Sequence, residues 1–297
     1  MKIIYLDCIA GISGDMMLGA LVDAGADSNY IETELLKLPV SPYSLTWNRV
    51  NKLGISSIKA DVLVDPDSPP AHHTHYSDIV RMIRDANLPE RVTTRSLAIF
   101  ERIGIAEGKI HGLPLEKVHF HEVGAVDSIV DTVGVALALE SLQIDSIWCS
   151  PVPLGYGTIH CAHGIYPVPA PATLEILKGI PLASVPIPKE LTTPTGAGIV
   201  SALVDQFHIS LPSMTITSIG YGAGTRDLKE RPNVLRVVVG NPEQASETIH
   251  DPHAHSHSHD HNHGHSHSHS HDHDHSHSHS HSHSHSHSHD HDHQEDS

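Results

Sequence analysis

Apolar and polar positions follow two periods along this chain, and each change of period marks an element. Ile3 to Cys8 is a short, almost wholly apolar run, which predicts a buried strand. Helical spacing follows from Met16 to Ala24, and again from Ser28 to Leu38, where Pro39 stops it. Tyr43–Val50 and Ile55–Val64 alternate and are joined by Asn51-Lys52-Leu53-Gly54, so they are predicted to pair as strands. Ser77 is placed as the cap of a helix reaching Ala86. Pro89 opens another to about Glu107, with Leu97, Phe100, Ile103 and Ile105 inward.

The centre of the chain carries the sharpest change. Val118 to His121 alternate, so a strand there would show His119 and His121 on one face and Phe120 on the other. Beyond Gly124, Val126, Ile129, Val130 and Val133 recur at steps of three and four, predicting a helix from Val126 to Leu142. Asp127 and Asp131 then share one helix face. A strand at Asp145–Cys149, a glycine-rich loop at Pro153–Gly164 and a helix at Ala172–Leu177 come next. Glu190–Ala197 reads as a loop running into a helix, Ile219–Asp227 as a flexible glycine run, and Val234–Val239 as a closing strand. Strands alternating with helices predict an α/β domain. Its sheet should be mixed and partly parallel, with flanking helices on both faces.

Composition divides the chain in two. Residues 1–248 read as a globular α/β domain, and residues 249–297 as a disordered tail rich in His, Ser and Asp, with too few apolar side chains to offset its conformational entropy. The last 48 residues hold 22 of the 31 histidines. Imidazole binds divalent transition ions well, so the tail is expected to hold several at once. A net charge of −17 excludes a nucleic-acid surface. Three widely spaced cysteines imply no disulfide framework, and no apolar run reaches membrane-spanning length. A cytoplasmic homo-oligomer, off the membrane, is expected.

Candidate chemistry gathers at four places. The first is the central stretch, where His119, His121, Glu122, Asp127 and Asp131 make a ligand set for nickel, zinc, cobalt or manganese. Its alternative is a solvated strand edge beside a charged outer helix face. The second is Gly11, Ser13, Gly14 and Asp15, a turn between strand and helix whose free backbone N–H groups suit an anion, unless it is simply a capped turn. The third, Thr192, Thr195 and Gly196, repeats that arrangement, with capping by Thr195 as the alternative. The fourth is the Gly-rich loop, where His160 and His163, further candidate metal ligands, flank Cys161.

Taken together, Tyr5-Leu6-Asp7-Cys8, Gly11-Ile12-Ser13-Gly14-Asp15-Met16, His119 to Asp131, Pro167 to Thr173, Thr192 to Ala197 and Gly220 to Gly224 resemble the LarC family of nickel insertion proteins. The resemblance covers essentially residues 1 to 240. It implies a lyase-class cyclometallase that places nickel in pyridinium-3,5-bisthiocarboxylic acid mononucleotide, using CTP with magnesium or manganese. It implies His119, His121 and Glu122 at the reaction centre, and the two glycine-containing loops on the nucleotide phosphate. Full-length members continue into a CTP-binding C-terminal domain. The chain resembles the short form, so that domain is expected as a separate or frameshift-encoded partner. Two other classes compete: a nickel store or chaperone working through the tail, and a metal-dependent phosphohydrolase.

Overall fold

The computed structural model describes residues 1–65, 67, 74–120, 125–161 and 164–242. The expected tail, the boundary at 248, and His121, Glu122 and His163 lie outside the described residues, as do His72 and His73, which the sequence sets with His75 in a proline-rich loop that can bind metal weakly or is simply solvated.

The chain opens with β1 (Ile3–Asp7), α1 (Gly14–Asp23), α2 (Ser28–Leu35), β2 (Tyr43–Lys52) and β3 (Ile55–Val64). The middle holds β4 (Thr74–His75), α3 (Tyr76–Asp85), α4 (Glu90–His111), a 3-10 turn at Leu115–Lys117, β5 (His119–Phe120) and α5 (Val126–Ser141). Then come β6 (Ser146–Cys149), β7 (Val152–Pro153), β8 (Gly157–Cys161), β9 (Gly164–Val168), α6 (Pro171–Ile176) and β10 (Leu182–Ala183). The last elements are α7 (Pro194–Leu203), β11 (Gln206–Phe207), β12 (Met214–Ala223) and β13 (Val234–Pro242).

Seven strands form one sheet in the order β11-β6-β1-β13-β12-β3-β2. β1 runs parallel to β6 and antiparallel to β13, and β12 runs parallel to β3, so the sheet is mixed as expected. The predicted β2–β3 pairing is present, with Tyr43 opposite Val64 and Lys52 opposite Ile55.

Alternation splits β1 between two cores. Ile4 and Leu6 join Ile147, Cys149, Leu235, Val237 and Val239 in one cluster with the buried side chains of the helices. Ile3 and Tyr5 point the other way and meet Trp148, Val238 and Met214. Among the described residues that second cluster contains no helical side chain, which corrects the expectation of helices on both faces. Burial there pushes the Tyr5 phenol up to about 12, with the nearby Asp7 adding to the shift.

Several local expectations change. α2 stops at Leu35, short of Leu38. α3 begins at Tyr76 with His75 at its N-cap, so Ser77 lies inside the helix. α4 runs on to His111 and ends at Gly112, whose φ of 66° allows the left-handed turn that closes it. Ile105 is 52% exposed, because it lies on the outer face of that helix. The loop predicted at Pro153–Gly164 contributes the first strand of an antiparallel hairpin, β8–β9. The run at Ile219–Asp227 is mostly strand. Gly220 and Gly222 lie under α1, where a Cβ would come 2.1 Å from the Ala20 carbonyl and 1.8 Å from that of Met16.

Candidate active site

Two loops that the sequence singled out separately meet in space. Ile12 bridges to Thr192, and the Thr193 amide donates to the Ile12 carbonyl at 3.2 Å. Gly196 permits this contact, since a Cβ there would lie 2.0 Å from the Ile12 oxygen. The starts of α1 and α7 are therefore side by side. Thr193, rather than Thr195, caps α7: its hydroxyl accepts from the Gly196 amide at 3.2 Å. The Thr192 hydroxyl donates inward to the Pro153 carbonyl at 2.7 Å. Gly11, at φ 94°, lies against the Leu191 backbone. Gly11, Thr192 and Gly196 thus build the scaffold behind the site.

In front of them lies a cavity of about 400 Å³. Ser13, Gly14 and Asp15 of the first loop line it with Thr193, Pro194 and Thr195 of the second. α5 contributes Asp127, Ser128 and Asp131, β3 contributes Lys59 and Asp61, and Glu190 and Thr225 complete the rim. A smaller recess of about 190 Å³ shares Ser13, Asp15, Glu190, Thr193 and Thr225 and adds Arg226 and Asn233.

The first turn of α1 carries no side-chain cap. Ser13 instead donates its hydroxyl to Asp15. The amides at the start of α1 therefore keep the anion-binding capacity of an uncapped helix end.

The charges in the cavity are mostly negative. Lys59 Nζ lies 2.8 Å from Asp15 Oδ2 and 2.9 Å from Asp61 Oδ1. Burial alone would lower its pKa, but those two carboxylates outweigh it and hold the ammonium protonated. Asp131 sits on α5 against Gly14, the first residue of α1. A Cβ on Gly14 would come 2.7 Å from its carboxylate oxygen. Its Oδ1 is sealed from solvent with no hydrogen-bond partner among the described residues. Burial raises the Asp131 pKa well above the usual carboxylate range, Asp15, Asp127 and Asp61 raise it further, and Lys59 opposes them.

Sequence reasoning missed Lys59 and Asp61. The available signal was their i, i+2 spacing on β3, which sets both on one face of the strand.

The candidate metal ligands are dispersed. Asp127 and Asp131 line the cavity, but among the described residues no histidine does. His119 stands on β5 opposite His75 of β4. His160 is exposed on β8. Among the described residues, no group of three or more His, Cys, Asp or Glu is arranged to hold one metal ion. Two cysteines far apart in sequence are neighbours: Cys8 and Cys149 Sγ lie 3.6 Å apart, both buried, at the ends of adjacent parallel strands. Among the described residues no helix is long and apolar enough to cross a membrane.

The family model for "Nickel insertion protein" matches residues 4–286. The chain belongs to the nickel insertion protein family. A pyridinium-3,5-bisthiocarboxylic acid mononucleotide nickel insertion protein of Geobacillus kaustophilus is 60% identical over 247 residues, covering 81% of this chain and 60% of that protein. One of the same name from Staphylococcus epidermidis is 54% identical over 237 residues, covering 80% and 59%. A putative nickel insertion protein of Wolinella succinogenes is 48% identical over 242 residues, covering 81% and 61%. The chain thus spans about 60% of the length of these curated relatives. No solved structure gives a match.

Proposed function

We propose that this chain inserts nickel into pyridinium-3,5-bisthiocarboxylic acid mononucleotide, forming one nickel–carbon and two nickel–sulfur bonds. The observation that carries this reading is the acidic cavity at the joint start of α1 and α7. A cavity with carboxylates from Asp15, Asp61, Asp127, Asp131 and Glu190 around one lysine attracts cations. Both nickel and a pyridinium ring are cations. The mononucleotide phosphate is an anion, and the uncapped amides of α1 give it a separate place to bind.

Forming the nickel–carbon bond releases the proton of a ring C–H. Asp131 is the described group best suited to take it, since a raised pKa makes its carboxylate a stronger proton acceptor. Ser13, Thr193 and Thr195 add hydroxyls for the ribose or phosphate. His119, with His121 and Glu122 beyond the described residues, is assigned to nickel handling.

The finer parts of the reading are proposals of the same kind. CTP, with magnesium or manganese, is assigned to a C-terminal domain acting with this chain, in keeping with the relatives' greater length. The test supplies the full chain with the mononucleotide, Ni²⁺, MgCTP and the C-terminal portion of a longer relative. Mass spectrometry should find the substrate heavier by nickel less the displaced protons. A chain that binds nickel but never the mononucleotide would replace insertion with storage. Storage is the second reading, favoured by the 22 histidines of the tail.

A further inference from the structure

Outside the acidic cavity, the structure brings together two imidazoles that lie 44 positions apart in the sequence. β4 and β5 form a two-stranded antiparallel ladder in which His75 lies directly opposite His119 and Thr74 opposite Phe120. The His75 and His119 ring centroids are 3.8 Å apart, with the ring planes tilted by 47°. At that separation the two imidazoles are in direct contact across the ladder.

The pair rests on a rigid base. The Tyr76 amide donates to the Val118 carbonyl at 3.1 Å, closing the ladder beside His75. Phe120, next to His119, is buried with its centroid 6.2 Å from that of Phe100 and 6.4 Å from that of Tyr76. Gly104 of α4 keeps the space for those rings, since a Cβ there would meet Tyr76 at 3.1 Å and Phe120 at 3.5 Å. Both histidines are half-buried, so they remain open on one side.

We infer that His75 and His119 together form a two-imidazole site for a divalent transition ion, the point at which nickel is held on the folded domain. The inference rests on the nickel reading above and adds His75 to it. Imidazole nitrogen binds nickel in preference to hard ions such as magnesium. Two protein ligands leave most coordination positions open, so an incoming sulfur ligand can take the ion without first displacing a closed shell. A fully enclosed four-ligand site would store nickel; a two-ligand site can pass it on.

The test uses linkage on the full chain. A tail without fixed structure, as its composition predicts, would take nickel equally in folded and unfolded chains and leave the melting temperature unchanged, whereas an ion held by two strands binds only the fold and raises it. Both tryptophans, Trp47 and Trp148, lie in the folded domain and report its melting by fluorescence. The metal-free wild type should gain roughly 5 °C or more once NiCl₂ is ~100-fold above its dissociation constant. MgCl₂ should give no shift. His75→Ala and His119→Ala should each lose the nickel shift, and the double variant should lose no more than either single one. His111→Ala, on the last turn of α4, should keep it.

A His75→Ala protein that keeps the full nickel shift overturns the inference, as does a wild type with no shift. Loss in His119→Ala alone also overturns it, while leaving insertion through His119 intact. Should His75→Ala melt lower without metal, His75→Asn keeps a polar side chain and is read in the same way. If the nickel shift behaves as stated while the insertion assay gives no product, the ion site stands and the insertion reading fails.

Discussion

Replacing Asp131 with asparagine should make the metal-free protein more stable at neutral pH, although the same change removes the proposed proton acceptor. In the folded protein Asp131 Oδ1 is buried with no partner among the described residues, and the carboxyl shares its surroundings with Asp15, Asp127 and Asp61 as well as Lys59. A buried polar group left unpaired costs about 1–3 kcal/mol. Asparagine keeps the shape, removes the charge and offers N–H donors to neighbours that are mostly acceptors. A gain of about 1–3 kcal/mol corresponds to roughly 2–4 °C per kcal/mol for a domain of this size.

The pH dependence has a definite sign. Folding raises the Asp131 pKa, so the folded state holds this proton more tightly than the unfolded chain does. The stability it contributes is complete below the ordinary carboxylate pKa and is lost as pH rises through the folded value. The wild type therefore gives up stability between acid and neutral pH that Asp131→Asn keeps. Differential scanning calorimetry from pH 4 to 8 should show a melting gap in favour of the variant that is widest near pH 8 and closes toward pH 4. A variant that melts below the wild type at pH 7.5, or a gap that does not change with pH, would refute this account of Asp131.

Three further outcomes follow from other contacts. Gly196→Ala drives a methyl into the Ile12 carbonyl, backbone against backbone, and should cost about 1–3 kcal/mol in urea melts while separating the two loops that frame the cavity. Thr193→Val removes the α7 cap and should cost about 1 kcal/mol, whereas Thr195→Val, which caps nothing, should change stability less. Deleting residues 250–297 should remove several equivalents of bound nickel, and the nickel released from the full chain as pH falls through about 6.5 should shrink by the same number, read by equilibrium dialysis.

The parts of the fold that depend on local periodicity were legible. β1, α5 and β13 follow from runs rich in Ile, Val and Leu, and the β2–β3 hairpin from alternation on either side of Asn51–Gly54. Gly220 and Gly222 were misread because glycine marks both a flexible loop and a strand pressed against a helix. Only the position of α1 over β12 separates the two. The two glycine-containing loops were recognisable singly, but their contact runs through the isolated Ile12–Thr192 bridge, with no local sequence signal. The cross-strand pairing of His75 with His119 was hidden for a similar reason. It needs a register between two-residue strands, too short to leave a pattern. Charge was the largest omission, because Lys59 and Asp61 look like solvated positions of a hairpin until α1 and α5 close over them.

The place of β1 in the sheet also sets a timetable for synthesis. β1 ends at Asp7, but one of its two neighbours, β13, does not begin until Val234. At roughly 5–20 residues per second, the first strand made waits about 10–50 s for the last one it needs. β6 can join it earlier, yet the half-sheet so formed keeps the β13 side of Ile4 and Leu6 open to water and to other chains. High sequence separation at the centre of a sheet delays folding, because the loop must close before the contacts can form. The nascent chain therefore passes through a long interval as an unfinished sheet with a free edge. Nearly the whole domain must leave the ribosome before its centre can close.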